Sequence, residues 1–261
     1  MGSHTEPIMT EYYNFYARSS NDMDQDITYF VELAKQTGGP VIELGCGTGR
    51  ISIAIAQEGI EVFGVEFSAE KLKIAKQKAN DLKLSHRIKW VEASITNFQI
   101  PGKTCPLIIM PDRSFLQLIN VRDQLSTLKS IRRHLDEGGL FSFHAFVPHM
   151  RKLMDMEGKH TYRGTYQSGT DEIEVYDFTE LDTFNQIANI TRYMEKFNSR
   201  GISVERTKSK IRLRYIFPAE LSHLLAVCGF KVQNRYGSFY RAPFDSNSEE
   251  LIVEAVKIAR R

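Results

Sequence analysis

The residues best suited to do chemistry lie between Val41 and Arg50. An apolar strand, Val41 and Ile42, runs through Glu43 and Leu44 into Gly45, Cys46, Gly47, Thr48 and Gly49, and a helix opens at Arg50. Glycines at this spacing let the backbone turn sharply and bring a ligand onto the main chain, where a Cβ would collide with it. Cys46 sits inside the loop, where a small side chain fits. The helix N-terminus behind the turn offers unpaired N–H groups to an acidic ligand end. A nucleotide-like ligand needs a second element as well, an acid closing the next strand to hold a ribose. Glu61 to Glu66 supplies it, with Glu66 about 20 residues past the glycines.

Nicotinamide and flavin loops place the third glycine five residues after the first, whereas here Gly49 follows Gly45 by four and Glu43 precedes both. That pattern, E-x-G-x-G-x-G followed by a strand ending in an acid, resembles the class I S-adenosylmethionine-dependent methyltransferases. The plainer alternative is a glycine-rich turn in some other α/β protein.

The elements that must position this loop follow the same plan. Ile27, Phe30, Val31 and Ala34 form a helical stripe, with Asp24 or Asp26 as its cap and Gly38-Gly39-Pro40 as its end. Ser68 caps a helix carrying Leu72, Ala75, Ala79 and Leu82, and Ile88 to Val91 make a third strand. Leu107 to Met110 has the wholly apolar composition of a buried parallel strand. Asn120 and Asp123 resemble a capping pair for a helix with Leu125, Leu128, Ile131 and Leu135, which Gly138-Gly139 stops before a fifth strand reaching Phe146. Strands alternating with helices predict a doubly wound, Rossmann-like α/β sheet of seven strands, with ligands at the strands' carboxyl ends. Phe230 to Tyr236 and Leu251 to Ile258 have no helix between them and predict an antiparallel final pair. From about residue 160 to 217 the pattern changes to long alternating strands, a β-rich insertion after strand 5. The expected organisation is a core over 5–147 with an N-terminal aromatic cap, a lid or substrate insertion over 148–217, and completion of the core over 218–261.

Composition bounds the partners. The 261 residues carry a formal net charge of +2, which argues for neither nucleic acid nor membrane. Cys46, Cys105 and Cys228 lie far apart, form no metal-ligand pair and read as reduced thiols of a cytoplasmic protein. No apolar run is long enough for a transmembrane helix, and no metal site is expected.

The resemblance covers roughly residues 10–147 and 218–258. Within the family the chain is similar to small-molecule enzymes, the sugar-amine and glycine-type N-methyltransferases, which also carry an insertion after the fifth strand. It implies S-adenosylmethionine as cofactor and S-adenosylhomocysteine as product. It implies that Gly45, Gly47 and Gly49 underlie the methionine half, with Glu43 near its ammonium, and that Arg50 opens the helix behind them. Glu66 would accept both ribose hydroxyls, Phe67 would flank the adenine, and Ser94 and Ile95 occupy the adenine-edge position. Ser94 departs from the family's usual acid there. Asp112 would border the methyl-donor sulfur and the acceptor. In the aromatic leader, Tyr12 and Tyr16 would cover the cofactor and Arg18 would pair with its carboxylate; the alternative is a tyrosine-rich helix face packed on the sheet.

A general base is needed only if the acceptor arrives protonated. Asp112, His144 at the end of the fifth strand and His149 in the next loop are the candidates, against the alternative of hydrogen-bonded structural residues. Arg206, Lys208, Lys210, Arg212 and Arg214 fall at a period of two, so one strand would project all five from one face. They are expected to pair across strands with Asp171, Glu172, Glu174, Glu180 and Asp182. The predicted function is methyl transfer to nitrogen or oxygen of a small molecule, with a possible homodimer contact through the insertion. The alternatives are an RNA or protein methyltransferase using the basic strand 206–214, and a cofactor-binding protein without transferase activity.

Overall fold

The computed structural model describes residues 23–258. The aromatic leader, with Tyr12, Tyr16 and Arg18, lies outside the described residues. The described chain divides into two compact units, one of residues 24–147 with 216–258 and one of residues 148–215.

The larger unit opens with α1 (Met23–Thr37), β1 (Val41–Leu44), α2 (Arg50–Gln57), β2 (Val62–Glu66), α3 (Ala69–Asp81), β3 (Ile88–Glu92) and β4 (Cys105–Met110). It continues with α4 (Val121–His134) and β5 (Leu135–Phe146). After the second unit it is completed by α6 (Pro218–Val227), β10 (Phe230–Tyr236) and β11 (Glu250–Lys257). Seven strands form one sheet in the order β10-β11-β5-β4-β1-β2-β3. The pairs from β5 across to β3 are parallel, while β11 is antiparallel to both β5 and β10. The strand order reverses between β1 and β4, so a crevice opens at their carboxyl ends, where ligands of such sheets bind.

Local chemistry accounts for most of these elements. β1 and β2 are buried along their whole length, as strands covered by helices on both faces must be. Ser68 Oγ accepts the Lys71 N–H at 3.3 Å to start α3, and Asn120 Oδ1 accepts the Asp123 N–H at 2.8 Å to start α4. Pro218 opens α6, where its missing N–H costs nothing. One face of the sheet packs Val41, Val62, Leu107 and Ile109 against Phe30, Ala34, Ile51 and Ile55 of the helices.

Three expectations need correction here. Asp26 does not cap α1: it lies within the helix and is drawn to a distant partner described below. Leu82 is 51% exposed, because it falls at the C-cap of α3 rather than on the buried stripe. Helix α4 stops at His134, before the glycines, and β5 begins at Leu135, which pairs with Cys105 across an irregularity in the ladder. Asp136 to Gly139 therefore fall within the bounds of β5, but as a register shift with Gly138 at φ 74°, and regular pairing resumes at Leu140.

The smaller unit holds α5 (Met150–Met156), which the sequence pattern did not reveal, then β6 (His160–Ser168), β7 (Asp171–Asp182), β8 (Ile187–Phe197) and β9 (Ser203–Arg214). The strands form an antiparallel meander in sequence order. On β7, Ile173, Val175, Asp177 and Thr179 alternate onto a buried face, with Asp177 satisfied by Arg192 directly opposite at 2.7 and 2.8 Å. The basic ladder does occupy one face of β9, but the expected cross-strand pairing with the acids of β7 fails because β8 intervenes. Opposite Arg206, Lys208, Lys210, Arg212 and Arg214 stand Glu195, Tyr193, Thr191, Asn189 and Ile187, and Arg206 lies over the Tyr193 ring at 5.2 Å. Among the described residues no helix is long and apolar enough to cross a membrane.

Candidate cofactor and acceptor site

Every sequence-predicted site residue of the larger unit stands at or just past the carboxyl end of a strand. The glycine loop leaves β1 with Gly45 and Cys46 both donating N–H to Val65 O, at 2.8 and 3.1 Å. Gly45, Gly47 and Gly49 all have positive φ (73°, 56° and 83°), a region that disfavours side chains. Their surroundings differ. A Cβ on Gly47 would meet nothing within 4 Å, so its backbone faces open space, whereas one on Gly49 would stand 2.7 Å from the Trp90 ring. Gly47 is thus half-buried main chain with an open side that a ligand can approach, while Gly49 lets helix α2 close on the sheet.

Glu66 ends β2 nearly buried, and its carboxylate is fixed by two main-chain donors. Gly47 N–H reaches Oε2 at 3.1 Å and Ser68 N–H reaches Oε1 at 3.0 Å. An ionised carboxylate has about four acceptor positions, so two remain for incoming hydroxyls. Phe67, next in the chain, is 68% exposed, an apolar ring left facing solvent beside that acid. Ser94 and Ile95 follow β3, where the exposed Ser94 accepts the Thr96 N–H at 3.3 Å. Cys46 is buried within the loop.

Glu43 is buried inside β1 and bonded by the Ser52 hydroxyl. Burial pushes its carboxyl up to about 7, against the pull of Ser52 and of Arg50. Arg50 is clamped by Asp26 of α1 through two bonds of 2.6 and 2.5 Å, a bidentate arrangement that fixes the guanidinium's direction. Asp26 is only 3% exposed and is a site residue that sequence reading mistook for a cap. Its acidic side chain on the inward face of an apolar stripe was the available signal. Lys78 of α3 also reaches the loop, donating to Thr48 Oγ1 at 3.2 Å.

Asp112 and Arg113 follow β4, both with positive φ. The Asp112 side chain reaches solvent, yet the protein around it raises its carboxyl, with Arg50 opposing. His144 on β5 is buried, and both ring nitrogens are engaged. Nε2 lies 3.2 Å from the Arg113 N and Nδ1 lies 3.1 Å from Glu250 Oε2. His149 stands in the smaller unit, at the N-cap position of α5. The larger unit therefore gathers Glu43, the glycine loop, Arg50, Glu66, Asp112 and His144 along β1, β2, β4 and β5.

Acid-terminated β2, open glycine backbone and a buried acid with a raised pKa fit a ligand carrying a ribose and an ammonium group. Residues 41–139 match the methyltransferase-domain family. Fold, site and domain together define an S-adenosylmethionine-dependent methyltransferase.

A putative methyltransferase, YqeM, of Bacillus subtilis (strain 168) is 28% identical over 237 residues, covering 88% of this chain and 89% of its own. An S-adenosylmethionine-dependent methyltransferase from Clostridium acetobutylicum ATCC 824 has a similar structure, with a TM-score of 0.78 at 16% identity, covering 97% of this chain and 100% of its own. The sugar N-methyltransferase KedS8 from Streptoalloteichus sp ATCC 53650 gives 0.72 at 14% identity, covering 95% of this chain and 93% of its own. The resemblance to small-molecule N-methyltransferases is thereby borne out at the level of fold.

Proposed function

We propose that this enzyme moves a methyl group from S-adenosylmethionine to a nitrogen or oxygen of a small-molecule acceptor, by in-line displacement. The observation that carries the reading is the Glu66 carboxylate, bonded to the glycine loop through Gly47 and still holding free acceptor positions. When bound, the cofactor supplies a methyl group on a positively charged sulfonium, an excellent leaving group. The chain's own work is to bind, orient and exclude water, and positioning of this kind is worth about 7–11 kcal/mol.

In this reading Glu66 accepts the two ribose hydroxyls, Phe67 covers the adenine, and Ser94 and Ile95 meet its edge. Gly45, Cys46, Gly47 and Gly49 underlie the methionine half, with Arg50 behind them, and Asp112 borders the acceptor. Asp112 and His149 are the base candidates if the acceptor arrives protonated. Tyr12, Tyr16 and Arg18 close over the cofactor, and residues 148–217 act as the lid. The shared fold of KedS8, a sugar N-methyltransferase, supports an amine-bearing small molecule as acceptor. We further place the enzyme in the cytoplasm, as a homodimer joined through the insertion; sedimentation of the purified protein as a monomer would sink the dimer.

Glu43 takes the position beside the cofactor's ammonium, and this has a consequence for protons. With burial raising its pKa to about 7 in the free protein, Glu43 holds its proton in part at neutral pH, and a cation placed beside it favours the ionised form. Binding of S-adenosylmethionine at pH 7 should therefore be accompanied by net proton release. Calorimetry in buffers of different ionisation enthalpy should show that release, with affinity rising between pH 6 and 8. The same elevation above 4.5 means that the Glu43 contribution to folding stability falls as pH rises from 4.5 through 7. Buffer-independent binding enthalpy would contradict this role for Glu43.

The acceptor class is tested by incubating the protein with methyl-labelled S-adenosylmethionine and a panel of amino sugars, amino acids, phenols, peptides and RNA. Label carried by an amine or hydroxyl of a small molecule is the expected result. Label carried by RNA or protein alone would sink the reading.

A further inference from the structure

The turn after β4 combines two residues whose backbone conformation needs external support. Ser114 N–H donates to Pro111 O at 3.1 Å, closing a turn whose central residues are Asp112 at φ 54° and Arg113 at φ 52°, ψ 25°. Two successive left-handed residues make a type I′ turn, for which glycine, asparagine and aspartate are suited. Asp112 is at home there, but Arg113 is not, and a side chain held in this region persists only where its surroundings compensate.

Three contacts provide that compensation. His144 Nε2 accepts the Arg113 N–H at 3.2 Å. His144 Nδ1 faces Glu250 Oε2 at 3.1 Å, and the Arg113 guanidinium donates to Glu250 Oε1. The ladder explains how this trio meets: Ile252 of β11 stands opposite His144, which puts Glu250 diagonally within reach. A ring nitrogen that accepts an amide proton carries none of its own, so the imidazole is neutral with its proton on Nδ1, directed at Glu250. Burial first, then the charges of Arg113 and Arg50, hold the ring's pKa down to about 3. Phe239 closes the ring's flank edge-on, with centroids 4.9 Å apart. No lone pair of His144 is left to take a proton from an acceptor.

The far end of the turn touches the glycine loop. A Cβ built on Gly45 would lie 3.0 Å from Ser114 Oγ and 3.3 Å from its Cβ, so Ser114 is the wall of that loop. We propose that His144, anchored by Glu250, is a positioning residue that holds the Asp112–Arg113 turn in its left-handed form and thereby sets Asp112 and Ser114 against the glycine loop. The inference rests on the reading of that loop as the cofactor site, and it assigns His144 a role other than proton abstraction.

The test uses the full chain with S-adenosylhomocysteine as probe. In His144→Gln the amide oxygen stands near the Nε2 position and still accepts the Arg113 N–H; in His144→Phe the acceptor is gone. Hydrogen exchange at the Arg113 amide of the free protein should be similar in wild type and His144→Gln, and roughly tenfold or more faster in His144→Phe. S-adenosylhomocysteine affinity should fall about tenfold in the Phe variant alone, and the His144 imidazole should stay in its neutral Nδ1–H form from pH 5 to 8 by NMR. Unchanged Arg113 exchange in His144→Phe, or an imidazole titrating in that range, would overturn the proposal. So would faster exchange without loss of affinity, since it would disconnect the turn from the glycine loop. Should His144→Phe fail to fold, Glu250→Gln must speed Arg113 exchange several-fold, and no change there would overturn the proposal too. Failure of the wild type to bind S-adenosylhomocysteine would instead sink the cofactor reading and leave the exchange result standing.

Discussion

Glu66→Ala is expected to lose S-adenosylmethionine and S-adenosylhomocysteine binding by about 10²–10⁴-fold. Two hydrogen bonds from ribose hydroxyls to a carboxylate are worth about 1.5–3 kcal/mol each, and each 1.4 kcal/mol is a factor of ten. The substitution also removes the acceptor from Gly47 N–H and Ser68 N–H, so the loop that the ligand would touch loses its anchor. Calorimetric titration of both ligands into wild type and variant measures the effect, with a melting curve to show that the variant folds. A folded variant that binds within a factor of three of wild type would remove Glu66 from the site.

The second large effect separates the glycines by what each one does. Gly49→Ala forces a side chain into φ 83° and sets its Cβ 2.7 Å from the Trp90 ring and 3.2 Å from Ala75 Cβ. Left-handed strain of about 1–2 kcal/mol and overpacking of about 1–3 kcal/mol add to roughly 2–5 kcal/mol. For a domain of this size the melting temperature should fall on the order of 10 °C. Gly47→Ala meets no atom within 4 Å, so it carries the strain without the clash. It should melt only a few degrees low, yet it plants a methyl group on the surface offered to the cofactor. Gly47→Ala therefore loses affinity out of proportion to stability, and Gly49→Ala loses stability first. The reverse order, measured by paired melting and titration, would mean that the two glycines have been assigned the wrong roles.

How far the sequence could be read depends on whether each signal is local. The glycine loop and Glu66 are legible because spacing within one β-α-β unit dictates both, and the caps of Ser68 and Asn120 act over three residues. The Asp26–Arg50 pair spans 24 residues and joins two helices, so Asp26 passes for a cap until α1 and α2 are placed. The His144–Glu250 contact spans 106 residues and exists only because β11 runs antiparallel beside β5. A histidine at a strand end suggested a base, and nothing near it in sequence could reveal that both its nitrogens are taken. Pro111-Asp112 is a turn signal, but the left-handed geometry of Arg113 is imposed by tertiary contacts. Asp136 to Gly139 misled for a related reason: the stretch keeps its turn-like backbone, with Gly138 at φ 74°, but lies in a register shift between Leu135 and Leu140, both of which pair with β4. The basic ladder was correctly placed on one face, and its partners were missed because strand order cannot be read from charge alone.

Titration of S-adenosylhomocysteine into the intact protein, with NADH as a control, is the most direct test of the central claim. Saturable binding of S-adenosylhomocysteine in the micromolar range, and none of NADH, is the expected result. A folded protein that binds NADH and shows no heat with S-adenosylhomocysteine or S-adenosylmethionine would contradict it.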